Sequence, residues 1–416
     1  MPRLIEDRLE KQLKAAGCVV IEGPKWCGKS TTAKRFSKTI VELQRTSILE
    51  RYRTYMTTEE GNLLKGERPI LFDEWQKLPE LWDQIRWDID TNGGRGQYIL
   101  TGSAKPTDDL KRHSGTGRMA RITMRPMSLY ESRESTGEVS LGDLFSGIPS
   151  ISGNSHVTFN RIAYLVCRGG WPEAIGDDDG TALLIAENYY TSLTETDITD
   201  VDGIRRNPDR ARKILRSYAR QISSFASNTT IQNDVSATNG TIDDKTLTSY
   251  SNAFRKLFVI EDLPAWSPKL RSRSVIRTSD KRQFVDPSIA AAALGASPAD
   301  LINDLNTFGM LFESLCIRDL RVYAERIGGS VHQYRDSSGL EADAIIHLRN
   351  GEWGAAEIKL GGNMIDQAAE SLLKLVQNVD TEHMKEPKFL MVLTGSNYAY
   401  RRPDGVYVVP IGCLRD

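Results

Sequence analysis

Gly23-Pro24-Lys25-Trp26-Cys27-Gly28-Lys29-Ser30-Thr31 follows the apolar run Cys18-Val19-Val20-Ile21 and leads into Thr32-Ala33-Lys34-Arg35-Phe36. Strand, glycine loop and helix in that order decide the fold of the N-terminal part. Gly-x-x-x-x-Gly-Lys-Ser needs its glycines because the backbone must curl until successive N–H groups face the oxygens of a phosphate chain. Lys29 would reach the β- and γ-phosphates, the Ser30 hydroxyl would ligate Mg²⁺, and the following helix adds its positive end. A plain glycine-rich turn can show the same letters, but it needs no strand before it and no helix behind it. All nine residues from Gly23 to Thr31 are therefore candidate nucleotide contacts.

Such a loop requires partners. Pro69-Ile70-Leu71-Phe72-Asp73-Glu74 reads as a short apolar strand ending in two carboxylates. Asp73 is placed to hold the Mg²⁺ shell and Glu74 to polarise a water for attack on the γ-phosphate. A third strand, Gln97-Tyr98-Ile99-Leu100, ends in Thr101-Gly102-Ser103, where the Thr101 hydroxyl could sense the γ-phosphate, although Thr-Gly-Ser is also ordinary loop chemistry. Arg118 stands just before a last strand, Arg121-Ile122-Thr123-Met124. In ATPases that work as rings, an arginine at such a place reaches a neighbour's γ-phosphate. A surface arginine in a basic loop with Lys111, Arg112 and Arg121 reads the same way, and both alternatives stand.

Strands alternating with helices imply an α/β fold: a parallel sheet flanked by helices, with the ligand at the strand C-termini. The helical lead-in from Pro2 to Ala16 and a helix through Leu81, Trp82 and Ile85 present apolar residues to that sheet. At 416 residues the chain has room for about three domains of ~150 residues each. Their expected bounds are 1–155, 156–290 and 291–416. Lys+Arg 54 against Asp+Glu 55 leaves a net charge of -1, so any polynucleotide contact must come from a local patch. Five scattered cysteines without a Cys-x-x-Cys pair argue against a disulfide framework and a zinc site. No apolar run approaches ~18 residues and no signal-peptide pattern opens the chain, so the expectation is a soluble cytoplasmic protein without membrane contact.

Ser128 to His156, rich in Gly and Ser, reads as the edge of the first domain and a linker, and Arg168-Gly169-Gly170-Trp171-Pro172-Glu173 as a docking turn before a helix over 178–197. The middle region is helical. Asn207-Pro208 starts one helix, 230–237 forms a second segment, and Asp243-Asp244 caps a third with the stripe Leu247, Tyr250, Phe254, Leu257 and Phe258. A strand at Val259-Ile260-Glu261-Asp262-Leu263 would complete a winged helix-turn-helix. Its recognition helix would present Lys245, Thr246, Ser249, Asn252, Arg255 and Lys256, and its wing the basic stretch Lys269 to Arg277 with Lys281 and Arg282 beyond. These groups suit phosphates and base edges of DNA, although many winged helices dock proteins instead.

The last region opens with a helix over 308–327 carrying Glu313, followed by strands 331–335 and 341–348, an Asn350-Gly351 hairpin turn, a returning strand 353–359, a helix with Gln367 and a strand 389–393. Period-two alternation puts Glu357 and Lys359 on one face, with Asp343 on the adjacent strand. Two carboxylates meeting there can hold Mg²⁺ or Mn²⁺ beside a lysine, the chemistry of metal-assisted phosphodiester hydrolysis. Alone, Glu-x-Lys is a common salt-bridge ladder. With Glu313 and Gln367 at compatible places, an α/β endonuclease-like core is favoured.

Gly23 to Thr31, Ile70-Leu71-Phe72-Asp73-Glu74-Trp75-Gln76 and Leu100-Thr101-Gly102-Ser103 together resemble the AAA+-like ATPases of a bacterial and archaeal family in which the ATPase is followed by a winged helix and a restriction-endonuclease-like, PD-(D/E)xK-type domain. The resemblance implies ATP and Mg²⁺ binding by Lys29 and Ser30, hydrolysis served by Asp73 and Glu74, and Arg118 as a finger acting on another copy in a homo-oligomer. It also implies a nuclease-like site of Glu313, Asp343, Glu357 and Lys359 supported by Gln367. The 128–156 stretch matches no motif of that family. The resulting expectation is an ATP-hydrolysing switch coupled to a DNA-binding, nuclease-like C-terminal half. The alternative is an ATP-dependent scaffold that docks a protein partner through an inactive nuclease-like domain, and a small-molecule kinase is disfavoured by Glu74.

Overall fold

The computed structural model describes residues 2–58, 60–103, 115–147, 151–237, 242–267, 279–336, 338–379 and 385–416. They form two compact units. The first is Met1–Arg125 with Asp197–Arg205 and Asn252–Phe258; the second is Pro126–Thr196, Arg206–Ser251 and Val259–Asp416.

In the first unit, α1 (Ile5–Ala15) leads to β1 (Cys18–Glu22), α2 (Lys29–Arg35), β2 (Thr39–Glu42), α3 (Thr46–Thr58), α4 (Glu60–Leu63), β3 (Ile70–Asp73), α5 (Leu81–Asn92), β4 (Tyr98–Gly102) and β5 (Met119–Thr123). The sheet is fully parallel in the order β2-β3-β4-β1-β5. Its central strands β1, β3 and β4 are buried at every position because both faces are covered. Cys18 and Val20 of β1 join one core with Phe72, Leu100, Trp82 and Ile85, while Val19 and Ile21 join another with Leu9, Ala33, Leu71 and Ile99. The α/β sheet flanked by helices is as expected from the alternation of elements.

The second unit begins with β6 (Val139–Ser140), α6 (Leu141–Ser146), β7 (Gly153–Asn154), α7 (Phe159–Arg168) and α8 (Asp179–Ser192), and continues with α9 (Pro208–Arg220), α10 (Asn228–Ser236) and α11 (Asp244–Lys256), whose residues from Asn252 on count with the first unit. Then come α12 (Pro287–Leu294), α13 (Pro298–Asn303), α14 (Leu305–Arg326), β8 (Gly329–Arg335), β9 (Glu341–Leu348), β10 (Trp353–Lys359), α15 (Ile365–Asn378), β11 (Leu390–Thr394), β12 (Tyr398–Arg401), β13 (Tyr407–Pro410) and β14 (Leu414–Arg415). A seven-stranded mixed sheet runs β7-β12-β13-β11-β10-β9-β8. Three consecutive strands, β8, β9 and β10, are an antiparallel meander, and β11 returns parallel to β10 after α15.

Three expectations differ from this arrangement. The Gly/Ser-rich 128–156 stretch is not a linker at the ATPase edge. Within the second unit β7 pairs with β12 and β6 with β14, and the Ser135 and Ser140 hydroxyls donate to the Leu414 and Asp416 carbonyls at 2.7 Å. Serines bonded to backbone satisfy buried polar groups without any apolar period. Consequently the expected boundary at 155 falls inside the second unit. The strand expected at 259–263 is reduced to isolated bridges, Ile260 to Phe284 and Leu263 to Lys281, because Pro264 follows immediately and cannot donate to a ladder. Finally, the turn at 168–173 docks within its own unit. The Gly170 amide donates to Asp286 Oδ2 at 3.0 Å and Trp171 Nε1 to Ser288 Oγ at 3.0 Å, with the Trp171 side chain fully buried.

Candidate functional site

The glycine loop leaves β1 through Gly23 at φ +154°, where a Cβ would stand 2.1 Å from the Met124 carbonyl oxygen. Gly28 at φ +99° is left-handed and begins α2, so neither position accepts a larger residue without strain. The loop is tied down from three sides. Cys27 is buried with its Sγ 3.4 Å from the Met124 carbonyl. Arg3 donates to the Cys27 carbonyl at 2.6 Å and to the Arg125 carbonyl at 2.8 Å. Lys25 pairs with Asp197 at 2.6 Å. Inside the loop the buried Lys29 ammonium donates to the Gly23 and Pro24 carbonyls at 2.9 and 2.6 Å.

Asp73 ends β3, and Thr101 lies opposite it on β4. Ser30 Oγ donates to Asp73 Oδ1 at 2.6 Å, and the fully buried Thr101 hydroxyl donates to the same oxygen. The other oxygen, Asp73 Oδ2, is buried and has no hydrogen-bond partner among the described residues. An unpaired buried carboxylate oxygen costs about 1–3 kcal/mol or more, so it marks a place built for a cation or its water shell. Hydroxyl and carboxylate oxygens are the hard donors Mg²⁺ takes, and Ser30 with Asp73 fits that ion. When bound there, Mg²⁺ would neutralise phosphate charge and act as a Lewis acid. Glu74 follows with a left-handed backbone, φ 59°, which turns the chain out of β3. Its carboxylate accepts from Gln76 Nε2 at 2.5 Å and from Ser103 Oγ at 3.2 Å.

Thus the structure brings Lys29, Ser30, Asp73, Glu74 and Thr101 to one end of the sheet. Arg118 is elsewhere. It precedes β5, whose first residue pairs with Cys18 at the start of β1, which puts it at the opposite sheet edge, ~13 Å along a five-residue strand. There it donates to Asp90 at 2.6 Å and to the Thr116 carbonyl at 3.1 Å.

In the second unit Glu313 from α14, Asp343 from β9 and Glu357 from β10 converge with Lys359, as the strand pattern implies, while Gln367 is exposed in the first turn of α15. An unexpected fifth side chain enters. Lys281 Nζ lies 2.6 Å from Glu313 Oε1 and 2.9 Å from Asp343 Oδ1. Lys359 Nζ lies 2.6 Å from Glu357 Oε2 and 3.2 Å from Asp343 Oδ2, an oxygen that also accepts from the Ile358 amide at 2.9 Å.

Burial pushes the Glu313 carboxyl up to about 7, and burial followed by the Asp343 charge pushes Glu357 up to about 8. Burial alone would raise Asp343 too, but the ammonium groups of Lys281 and Lys359 hold it well below the usual carboxylate range. For Lys281, burial works against the charge, yet Asp343 and Glu313 carry its pKa above the ordinary lysine value.

Among the described residues no three His, Cys, Asp or Glu side chains form a group that could hold a metal ion. A second Mg²⁺ or Mn²⁺ in this centre, expected from the carboxylate spacing, is therefore not supported. The physical reason is the ammonium already seated on two of the carboxylates. The DNA-facing assignment of Lys281 and Arg282 is corrected with it, since Arg282 donates to the Ala226 carbonyl at 2.9 Å and to Asn228 Oδ1 at 2.8 Å. The expected wing, Lys269 to Arg277, lies outside the described residues. On α11, Ser249 accepts from Arg206 at 3.2 Å and Lys256 faces Asp202 at 4.0 Å, leaving Lys245 and Asn252 exposed.

Residues 16–132 match the family model described as an AAA domain, and they contain Lys29, Ser30, Asp73, Glu74 and Thr101. The first unit carries an AAA-like P-loop ATPase domain. Behind that domain, residues 160–300 match a domain of unknown function (DUF8612) and residues 308–414 another (DUF4143). No curated protein matches the chain. Among solved structures it is similar to the Walker-type ATPase PABY2304 of Pyrococcus abyssi, with 15% identity, 69% of this chain and 94% of that chain covered, and a TM-score of 0.42. It is also similar to a chain of Drosophila ORC bound to DNA, with 13% identity, 67% and 91% covered, and a TM-score of 0.24.

Sequence reasoning missed Arg3 and Asp197 at the phosphate end, and it quoted Gln76 and Ser103 within motifs without giving them the role of holding Glu74. Arg3 and Asp197 reach the loop from 24 and 172 residues away, and no periodicity announces that. No described helix is long and apolar enough to cross a membrane.

Proposed function

We infer that the chain is an Mg²⁺-dependent ATP hydrolase that works as a nucleotide-controlled switch. The observation that carries this reading is the unpartnered buried oxygen of Asp73 beside the Ser30 hydroxyl, at the same sheet end as Lys29 and Glu74. In this reading Lys29 exchanges its loop carbonyls for phosphate oxygens, Thr101 holds Asp73 in register, and Glu74 orients the attacking water and takes its proton. Gln76 and Ser103 keep the Glu74 carboxylate hydrogen-bonded until then. Coupling to the second unit has a covalent route. Asp197, the partner of loop residue Lys25, continues directly from Thr196 of the second unit.

In the DNA-responsive form of the reading, the exposed Lys245 and Asn252 and the basic stretch 269–277 meet the phosphate backbone. A protein-docking scaffold with a non-cutting nuclease-like domain is the second reading, and the position of Lys281 between Glu313 and Asp343 favours it. The test is phosphate release by the parent, Lys29→Ala and Glu74→Gln, with and without duplex DNA, across protein concentration. Turnover lost in both variants supports the hydrolase; an unaffected rate in Lys29→Ala refutes it. DNA stimulation with steep concentration dependence supports a DNA-responsive assembly in which Arg118 acts on a neighbour. Indifference to both points to a protein partner.

A further inference from the structure

The carboxylate centre of the second unit contains its own cation. Glu313, Asp343 and Glu357 are drawn from a helix and two strands, and among the described residues the ammonium groups paired with them are Lys359, from the same strand as Glu357, and Lys281, from a separate segment. Lys281 is not a loose surface side chain that has folded inward. Its backbone is pinned by a reciprocal pair of hydrogen bonds with Leu263, at 2.8 and 2.9 Å, and the next amide, that of Arg282, donates to the Ser224 carbonyl at 2.8 Å. Its ammonium lies 5.9 Å from the Phe225 ring, so one side is closed by an aromatic face. The residue is buried, as are Asp343 and Glu357.

The two oxygens that Lys281 touches, Glu313 Oε1 and Asp343 Oδ1, come from different elements and meet on one point of positive charge. Oxygens of two carboxylates meeting on one centre are also what a small hard dication requires. The ammonium forms an ion pair with Glu313 at 2.6 Å and donates a hydrogen bond to Asp343 Oδ1 at 2.9 Å, so charge and hydrogen bonding together fix it there. A buried carboxylate left without such a charge is strongly unfavourable.

We propose that Lys281 is a built-in counter-ion that occupies the position a divalent cation would take between Glu313 and Asp343, and so keeps this centre closed to metal. This deepens the non-cutting reading of the second unit and rests on it, but not on ATP turnover. The ammonium supplies positive charge between Glu313 and Asp343 without supplying a coordination shell or a bound water. The centre is held shut by the segment that carries Lys281, and it admits a cation only when that side chain is removed.

The test is Mn²⁺ binding to the full chain without nucleotide, read from the electron paramagnetic resonance signal of the free ion. Every protein in the series carries Asp73→Asn, so that the phosphate site contributes nothing. The Lys281→Met variant, similar in length but uncharged, should gain one Mn²⁺ site at least tenfold tighter than anything in its Lys281 parent, and adding Asp343→Asn should abolish it. The proposal is overturned if the parent already binds Mn²⁺ in a way that Asp343→Asn removes, or if folded Lys281→Met binds no more than the parent. Should Lys281→Met fail to fold, refolding decides. Recovery of the native circular dichroism in Mn²⁺ but not in matched ionic strength of KCl supports the counter-ion, and no recovery overturns it. Absence of ATP turnover in the chain with Asp73 intact, measured separately, would sink the hydrolase reading alone and leave this result untouched.

Discussion

Replacing Thr101 by Val removes one hydroxyl and keeps the branching of the side chain. Thr101 is fully buried on the central strand β4, and its hydroxyl donates to the Asp73 oxygen that also receives Ser30 at 2.6 Å. A valine methyl in that place leaves Asp73 Oδ1 with a single donor and gives the carboxylate freedom to rotate away from the ion it should hold. A hydrogen bond to a charged group contributes about 1.5–3 kcal/mol. If that contribution is expressed when phosphate charge develops, it corresponds to a roughly 10- to 150-fold fall in kcat. Part of the same energy is lost from folding, so rates belong well below the unfolding transition, monitored separately by circular dichroism. The assay is phosphate release at saturating ATP over a Mg²⁺ titration. Because the defect lies in the carboxylate, the Mg²⁺ midpoint should rise and high Mg²⁺ should recover part of the rate, while KM for ATP changes little. A kcat within twofold of the parent at every Mg²⁺ concentration would refute the assignment of Thr101 to the site.

Asp197→Asn releases Lys25, whose side chain is 43% exposed, so stability should change by less than about 1 kcal/mol; the freed ammonium should tighten ATP binding severalfold in a fluorescent-nucleotide titration, and an unchanged affinity would show that the pair is only surface ornament. For Glu313 and Glu357 the folded pKa values, about 7 and about 8, lie above the unfolded carboxylate value. The folded state therefore holds protons that the unfolded chain releases, and the stability of the second unit should fall as pH rises from about 5 to 8. Calorimetry should show that slope, and Glu357→Gln should flatten it. A Gly354→Ala Cβ would stand 2.4 Å from the Phe389 ring, so the variant should lose about 1–3 kcal/mol in a urea titration at an unchanged slope.

The phosphate site was legible because its chemistry is local. Glycines, lysine and hydroxyl must follow one another within nine residues, and an apolar strand that ends in Asp73 announces itself by burial alone. Asp343, Glu357 and Lys359 were legible for a similar reason: a hairpin with an Asn-Gly turn fixes which residues share a face. Where the sequence misled, the signal was composition. The serines of 128–156 suggested a loose connection, yet Ser128, Ser132, Ser135 and Ser140 are buried and bonded to backbone. A serine whose hydroxyl meets a distant carbonyl has the same letter as one in water.

Lys281 shows the limit most clearly, since it stands 32 positions before Glu313 and 62 before Asp343, just beyond a run of alternating basic residues that reads as a wing. Nothing in its neighbours distinguishes it from Lys269 or Arg277. What distinguishes it is the fold, which spends a backbone bridge with Leu263 to deliver one ammonium to two carboxylates that the strand pattern had already paired. A carboxylate pair beside a lysine is therefore only half of a metal-site signature. The other half is that no second ammonium competes for the same oxygens, and that condition is set by tertiary contacts that leave no periodicity in the chain. The ATPase domain meets the corresponding condition: the second Asp73 oxygen is buried with no group of the described residues seated on it, whereas the second unit fills its own equivalent place.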